Sequence, residues 1–411
     1  MKKLLVLGLV LILVAALGTV VLAGDPDPGT GSVNFTVQNV TDTDTQAVAS
    51  YINSSGDSDL DLTKDLFAKS SQGFSVADAG AAGLPDNWEG AVIVSAGQEI
   101  VAFAQARWQG GAQGDGKTAG AYNGFQAGAN TLYFPSLVAR DTKQFSKISI
   151  QSAEAASNVD QVTVNITFYD RDGNKEATTI SQPIFKGSQM TWDLTTIALS
   201  TFVADGWIGS AVVTSTAPIA GVATTFWPEY SAAYSAVTSG GEKAYVAQAN
   251  RRLPAGPFLQ YTGVVVQNLK TTPVTATVRW YDRTGAELYS FDKQIAGNAS
   301  QGFNTKNPAN TPDPNALWTA LGTDWVGSVI VEGPVGSELV AITNLQWTNK
   351  HPAKAAASSF ASEAAGFATL NVPATFRTLT GNTYKQYTGL IVQNVGAADC
   401  ASAFRVTALG T

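Results

Sequence analysis

The chain of 411 residues has one histidine, His351, and one cysteine, Cys400. Those counts bound its chemistry. A nucleophilic triad or a histidine-based zinc site needs an imidazole oriented by partners, and His351 precedes Pro352 with no repeat of itself elsewhere, which excludes both. Cys400 reads as a small buried hydrophobe, and with no second cysteine the chain forms no internal disulfide. Glycoside hydrolysis needs only paired carboxylates. Asp170, Asp172, Glu176, Asp282 and Glu287 are available, but they stand in and beside Asp-x-x-Gly turns, where Asp is expected for backbone reasons alone. Asp57-Ser58-Asp59-Leu60-Asp61 and Asp170-Arg171-Asp172-Gly173-Asn174 are oxygen-rich in the manner of calcium loops. Neither reaches the glutamate that closes an EF-hand loop, and Arg171 and Arg283 interrupt the carboxylates. No catalytic, cofactor-binding or metal-ligating residue is therefore assigned. Calcium is kept as a weak alternative at the acidic turns.

The side chains that recur at fixed spacing are tryptophans. Trp88-Glu89-Gly90 precedes Trp108 by 20 residues, Trp207-Ile208-Gly209 precedes Trp227 by 20, and Trp325-Val326-Gly327 precedes Trp347 by 22. Turn-forming residues lie midway in each case, so the spacing predicts a β-hairpin with two indoles facing each other across its open end. Alternation puts Trp207, Gly209, Ala211 and Val213 on one face, with the glycine leaving room for the ring. Trp88, Gly90, Trp108, Trp207, Gly209, Trp227, Trp325, Gly327 and Trp347 are thus structural repeat marks, and core packing is favoured over exposed sugar-stacking platforms. The unmatched Trp192, Trp280 and Trp318 are the better candidates for exposed rings.

Successive Trp-x-Gly marks are 119 and 118 residues apart, a domain-sized period. Val-Gln-Asn strands carry a register glutamine at Gln38, Gln267 and Gln393, with Ile150-Gln151-Ser152 as the second unit's counterpart, at spacings of 113, 116 and 126 residues. Tyr-Asp-x-x-Gly turns after Tyr169 and Tyr281, small-residue segments around Tyr122, Tyr234 and Phe360, and strands ending near Arg140, Arg251 and Arg377 recur with them. About seven short strands per unit, without sustained helical periodicity, read as a two-sheet sandwich.

This order of motifs resembles the tandem repeats of bacterial secreted and cell-surface proteins with immunoglobulin-like sandwiches. The resemblance implies an extracellular structural or adhesive role and brings no catalytic residues. The expected architecture is all-β, with three tandem immunoglobulin-like β-sandwich modules at 33–140, 141–256 and 257–377 and an incomplete fourth at 378–411.

Met1-Lys2-Lys3, an apolar run from Leu4 and Val21-Leu22-Ala23 read as a cleavable secretory signal over residues 1–23, followed by a polar linker at 24–32. A membrane anchor is the alternative reading, since residues 4–23 are long enough to span a bilayer. Loss of Lys2 and Lys3 leaves 23 basic against 32 acidic side chains, a balance that disfavours nucleic acid and anionic membranes. The function expected is a secreted or cell-surface, non-enzymatic repeat protein. An extracellular carbohydrate-binding array is the alternative, and the expected partners are cell-surface or matrix components, polysaccharide among them. Residues 378–411 stop before their own Trp motif. They read either as part of a longer repeat protein or as strands donated to a neighbouring molecule in head-to-tail self-association.

Overall fold

The computed structural model describes residues 29–411 apart from 111–117, 141–143, 154–159, 177–178, 198–205, 229, 254–257, 307–310, 312–313, 350–354, 373–374, 376, 379–385, 397, 399–404 and 408–411. The segment 1–23 expected to be a leader, most of the expected linker at 24–32, His351 and Cys400 lie outside the described residues.

Strands follow wherever the side-chain period is two. In the segment Gln161–Asp170, Val162, Val164, Ile166 and Phe168 are fully buried while the intervening residues are at least partly exposed. Each such side chain contributes about 1.5–3 kcal/mol on leaving water. The described chain is all-β, with antiparallel sheets around three hydrophobic cores.

The first unit comprises β1 (Gly29–Asn39), β2 (Thr45–Ile52), β3 (Ser58–Leu66), β4 (Ser71–Phe74), a short helix α1 (Val76–Ala81), β5 (Ala91–Ala96), β6 (Ile100–Gly110) and β7 (Thr118–Asn123). Its layers are β3-β2-β5 and β4-β1-β6-β7. The second comprises β8 (Ala129–Arg140), β9 (Gln144–Ser152), β10 (Gln161–Asp170), β11 (Ile180–Phe185), β12 (Gln189–Asp193), β13 (Trp207–Phe226) and β14 (Ser231–Ser235). One layer runs β11-β10-β13-β8; in the other β9 pairs β12 and β13, and β13 pairs β14. The third comprises β15 (Lys243–Arg252), β16 (Phe258–Asn268), β17 (Val274–Tyr281), β18 (Glu287–Ile295), β19 (Ser300–Asn304), helix α2 (Pro314–Leu321), β20 (Asp324–Glu332), β21 (Leu339–Asn349) and β22 (Ala355–Ala361). Its layers, β18-β17-β20-β15 and β19-β16-β21-β22, meet at a corner where Arg251 pairs with Tyr261. Beyond it β23 (Arg377–Thr378) pairs with β24 (Gln386–Tyr387), Arg377 opposite Tyr387, which repeats that corner.

Two expectations are corrected by this pairing. The runs flanking each midpoint turn do not form a hairpin: β5 pairs with β2 while β6 pairs with β1 and β7, and β20 pairs with β15 and β17 while β21 pairs with β16 and β22. Each run has one apolar face, and period-two alternation is satisfied equally by a hairpin and by an arch that places the runs in opposite layers. In the second unit β13 passes through both layers, pairing β8 and β10 with its first part and β9 and β14 with its second.

The boundaries expected at 140/141 and 256/257 are also out of phase with the pairing. β8 ends at Arg140 but pairs with β13 and β9, and β15 pairs with β20 and β16, so the Arg-bearing strands open the following unit instead of closing the preceding one. A strand at a unit junction is equally short of either neighbour along the sequence, and only its ladder decides its side. The second and third units so gain an opening strand for which the first has no described counterpart.

Candidate functional site

The Trp-x-Gly marks occupy equivalent places, and their partners are the aromatics that end β2, β10 and β17. Trp88 meets Tyr51 edge-on at 5.6 Å, Trp207 meets Phe168 at 5.7 Å, and Trp325 meets Trp280 at 5.8 Å. The glycine two residues on lies under the ring. A Cβ on Gly90, Gly209 or Gly327 would fall 2.3, 2.0 or 1.9 Å from the carbonyl oxygen of Ile52, Tyr169 or Tyr281 and 2.4–2.6 Å from the indole. Trp207 and Trp325 are buried, whereas Trp88 is half-buried. The strands β8 and β15 that flank the two buried rings have no counterpart among the described residues of the first unit, and Trp88 donates from Nε1 to Asp59 Oδ2 at 2.8 Å.

The expected pairing of first with second tryptophans is not what the chain forms. Trp207 begins β13 and Trp227 follows its far end. Trp108 meets Phe226 of the second unit edge-on at 5.0 Å, Trp227 packs on Tyr230 at 5.2 Å, and Trp347 lies opposite Gln260; all three are half-buried. The expectation for unmatched rings is corrected too. Trp192 and Trp280 are core residues, and Trp318, half-buried on α2, lies under the Arg251 guanidinium at 5.1 Å. Arg251 also donates to the carbonyls of Gly322 and Thr305, so it latches the helix to its own unit.

The acidic turns direct their oxygens inward. Asp170 Oδ1 accepts from the backbone amides of Asp172 and Asn174, and Asp282 Oδ1 accepts from Thr284 and Ala286. Asn53 does the same for Ser55 and Asp57. The Thr284 hydroxyl, followed by these amides, holds the Asp282 carboxyl below its ordinary range. Glu287 and Glu332 belong to a surface chain of ion pairs with Arg279 and Lys243. No group of three or more acidic, His or Cys side chains that could hold a metal occurs among the described residues. A cleft of about 190 Å³ is lined by Gln105, Arg107, Gly120 and Ser358. It is smaller than the roughly 300 Å³ at which small-molecule pockets begin.

The recurring polar constellation is a joint between units. After β3, β11 and β18 the chain makes a tight turn with a left-handed residue, Lys69 (φ 58°), Gly187 (φ 74°) and Asn298 (φ 60°). The register glutamine supports that turn: Gln151 Nε2 donates to the Gly187 carbonyl at 3.1 Å and Gln267 Nε2 to that of Asn298 at 2.9 Å. The turn then seats on the preceding unit. Asn298 O accepts from Ser210 Oγ at 2.7 Å, and Gln301 Nε2 donates to Arg171 O at 2.7 Å. Gly173 faces Ala296 so closely that a Cβ would be 2.7 Å from the alanine methyl. At the first joint Gly56 lies against Lys186 and Phe185, and Gly187 against Ile52 and Ile93. The small-residue strands β7, β14 and β22 also converge, with Ser231 Oγ donating to Ala119 O, and elsewhere between units two and three Asn344 Nδ2 of β21 donates to Ser136 Oγ of β8.

Sequence reasoning missed the joint because the three left-handed positions carry Lys, Gly and Asn. The signal that would have found it is the turn glycine at Gly56, Gly173 and Gly285, always at φ 86–89°.

No family model matches the chain, and no curated protein does. Among solved structures, dimeric latent PorU from Porphyromonas gingivalis overlaps 82% of this chain at 9% identity and a TM-score of 0.13; the overlap spans 30% of that protein. A likeness that low carries no argument.

Proposed function

We propose that the chain is an exported, non-enzymatic repeat protein with a structural or adhesive role at the cell surface or outside the cell. The observation that carries the reading is the use made of its recurring polar groups. Asn53, Asp170 and Asp282 cap their own turns, Gln151 and Gln267 hold left-handed turns, and Ser210 and Gln301 bond one unit to the next. These polar side chains are spent on holding turns within their units and on bonding unit three to unit two, which suits a spacer or scaffold built from nearest-neighbour contacts. The signal-like segment at 1–23 and the acidic balance support export without affinity for anionic polymers.

Cell fractionation with an antibody, together with a glycan array, tests this. The expected result is protein in the medium or envelope and no selective glycan signal. Selective binding of one glycan class would replace the reading by the carbohydrate-binding array. Turnover of a polysaccharide, lost on Asp170→Asn or Asp282→Asn, would overturn both.

A further inference from the structure

The joint has two halves, and among the described residues one of each is not occupied by another unit. The leading half is the turn between the second and third strands of a unit together with the residue after the Trp-x-Gly glycine. The receiving half is the left-handed turn with the residues that follow it. Units one and two lead into units two and three; among the described residues the leading half of unit three and the receiving half of unit one meet no further unit. Among the described residues no atom lies within 4 Å of a Cβ built on Gly285 or on Gly73, and Phe67, at the start of the unused receiving turn, is 59% exposed.

The two leftover halves match each other residue by residue. Strand register makes Gln72-Gly73 equivalent to Gln301-Gly302 and to Met190-Thr191, since Val37, Val266 and Ile150 pair opposite the first member of each. At the joint between units two and three, Gln301 donates to the Arg171 carbonyl, and the Arg171 guanidinium lies 3.2 Å from where a Cβ on Gly302 would stand. At the first joint the leading turn carries Ser54 where Arg171 stands, and the receiving position carries Thr191, so small meets larger there and Arg meets Gly at the second. Unit three leads with Arg283 and Ser328, which repeat Arg171 and Ser210. Unit one receives with Gln72-Gly73, which repeats the seat used by Arg171, and with Phe67, which repeats the Phe185 that packs on Gly56.

We propose that unit three of one molecule docks on unit one of a second copy through this same joint. Ser328 Oγ then donates to the Lys69 carbonyl of the second copy, Gln72 Nε2 of that copy donates to the Arg283 carbonyl, and the Arg283 guanidinium covers its Gly73. The joined surfaces are different, so the contact is heterologous and propagates head to tail instead of stopping at a dimer. This goes beyond the surface role and does not depend on it. It also differs from strand donation, since no residue beyond Ser328 takes part.

Sedimentation velocity on the full-length chain between about 1 and about 100 μM tests it. The expected result is a sedimentation coefficient that climbs with concentration. Phe67→Glu removes the receiving half and Gly285→Asn, tolerated in a left-handed turn, blocks the leading half. Each variant alone should sediment as a monomer with an unchanged circular dichroism spectrum. Their mixture should form a dimer and nothing larger, because one intact half remains on each. A full-length chain that stays monomeric at the highest concentration, or assemblies that persist in both variants, would overturn the proposal.

Discussion

Replacing Gly327 by Ala isolates one close approach that the Trp motif imposes. The added Cβ would stand 1.9 Å from the Tyr281 carbonyl oxygen and 2.6 Å from the Trp325 ring. The ring can rotate, but the carbonyl belongs to β17, which is laddered to β20 at Tyr281 and Ser328 and to β18 on its other side. Relieving the clash means separating β17 from β20 by about 1 Å, which forfeits a ladder hydrogen bond worth about 1 kcal/mol and adds overpacking of about 1–3 kcal/mol. The expected loss is therefore about 2–4 kcal/mol, confined to the third unit. Hydrogen-exchange mass spectrometry on peptides spanning 274–332 reads it as a fall in opening free energy of that size, with peptides of the first unit unchanged. Because the backbone contact is closer than the ring contact, adding Trp325→Ala should not rescue the variant and should deepen the loss. A change below about 0.5 kcal/mol, or rescue by the double substitution, would refute the argument that the carbonyl sets the constraint.

Asn268→Ala removes a buried amide that donates to Thr272 O and Ile295 O and accepts from Lys270 N, and should destabilise the third unit by about 2–3 kcal/mol in urea denaturation. Ser210→Ala and Gln301→Ala delete two side-chain bonds at the turn that joins units two and three; each should cost about 0.5–1.5 kcal/mol, and a double-mutant cycle by calorimetry should find them close to additive. The Lys64 ammonium, followed by the Ser75 amide and hydroxyl, draws the Asp78 carboxyl down from 3.8 to about 2. A depressed folded-state value means that its contribution is complete above pH 3.8 and is lost as pH falls through about 2. Carbon-13 NMR should find that carboxyl titrating near 2, and Asp78→Asn should flatten the first unit's stability between those two values.

Much of the fold was legible because it depends on local alternation and repeated marks. Gln38, Gln151 and Gln267 do hold equivalent positions, opposite Ser71, Gln189 and Ser300. The space beneath each indole was readable from the glycine two residues on. What alternation cannot carry is partner choice. Val329 and Val331 look the same whether β20 pairs with β21 or with β15 and β17, so the arch was read as a hairpin. The strand ending at Arg140 looks the same as the last of one unit or the first of the next. Trp280 lacked a same-motif counterpart only because Tyr51 and Phe168 fill its place with other rings. The joint was the least legible part, since its acceptors are main-chain carbonyls, which every residue type provides.

β13 gives the middle unit a mechanical character its neighbours lack. In the first and third units a loop, at 97–99 and 333–338, separates the strand in one layer from the strand in the other, and that loop can lengthen before either ladder breaks. In the second, one continuous 20-residue strand belongs to both layers. Tension applied along the chain is then transmitted from layer to layer through a taut covalent member, loading both ladders in shear at the same moment.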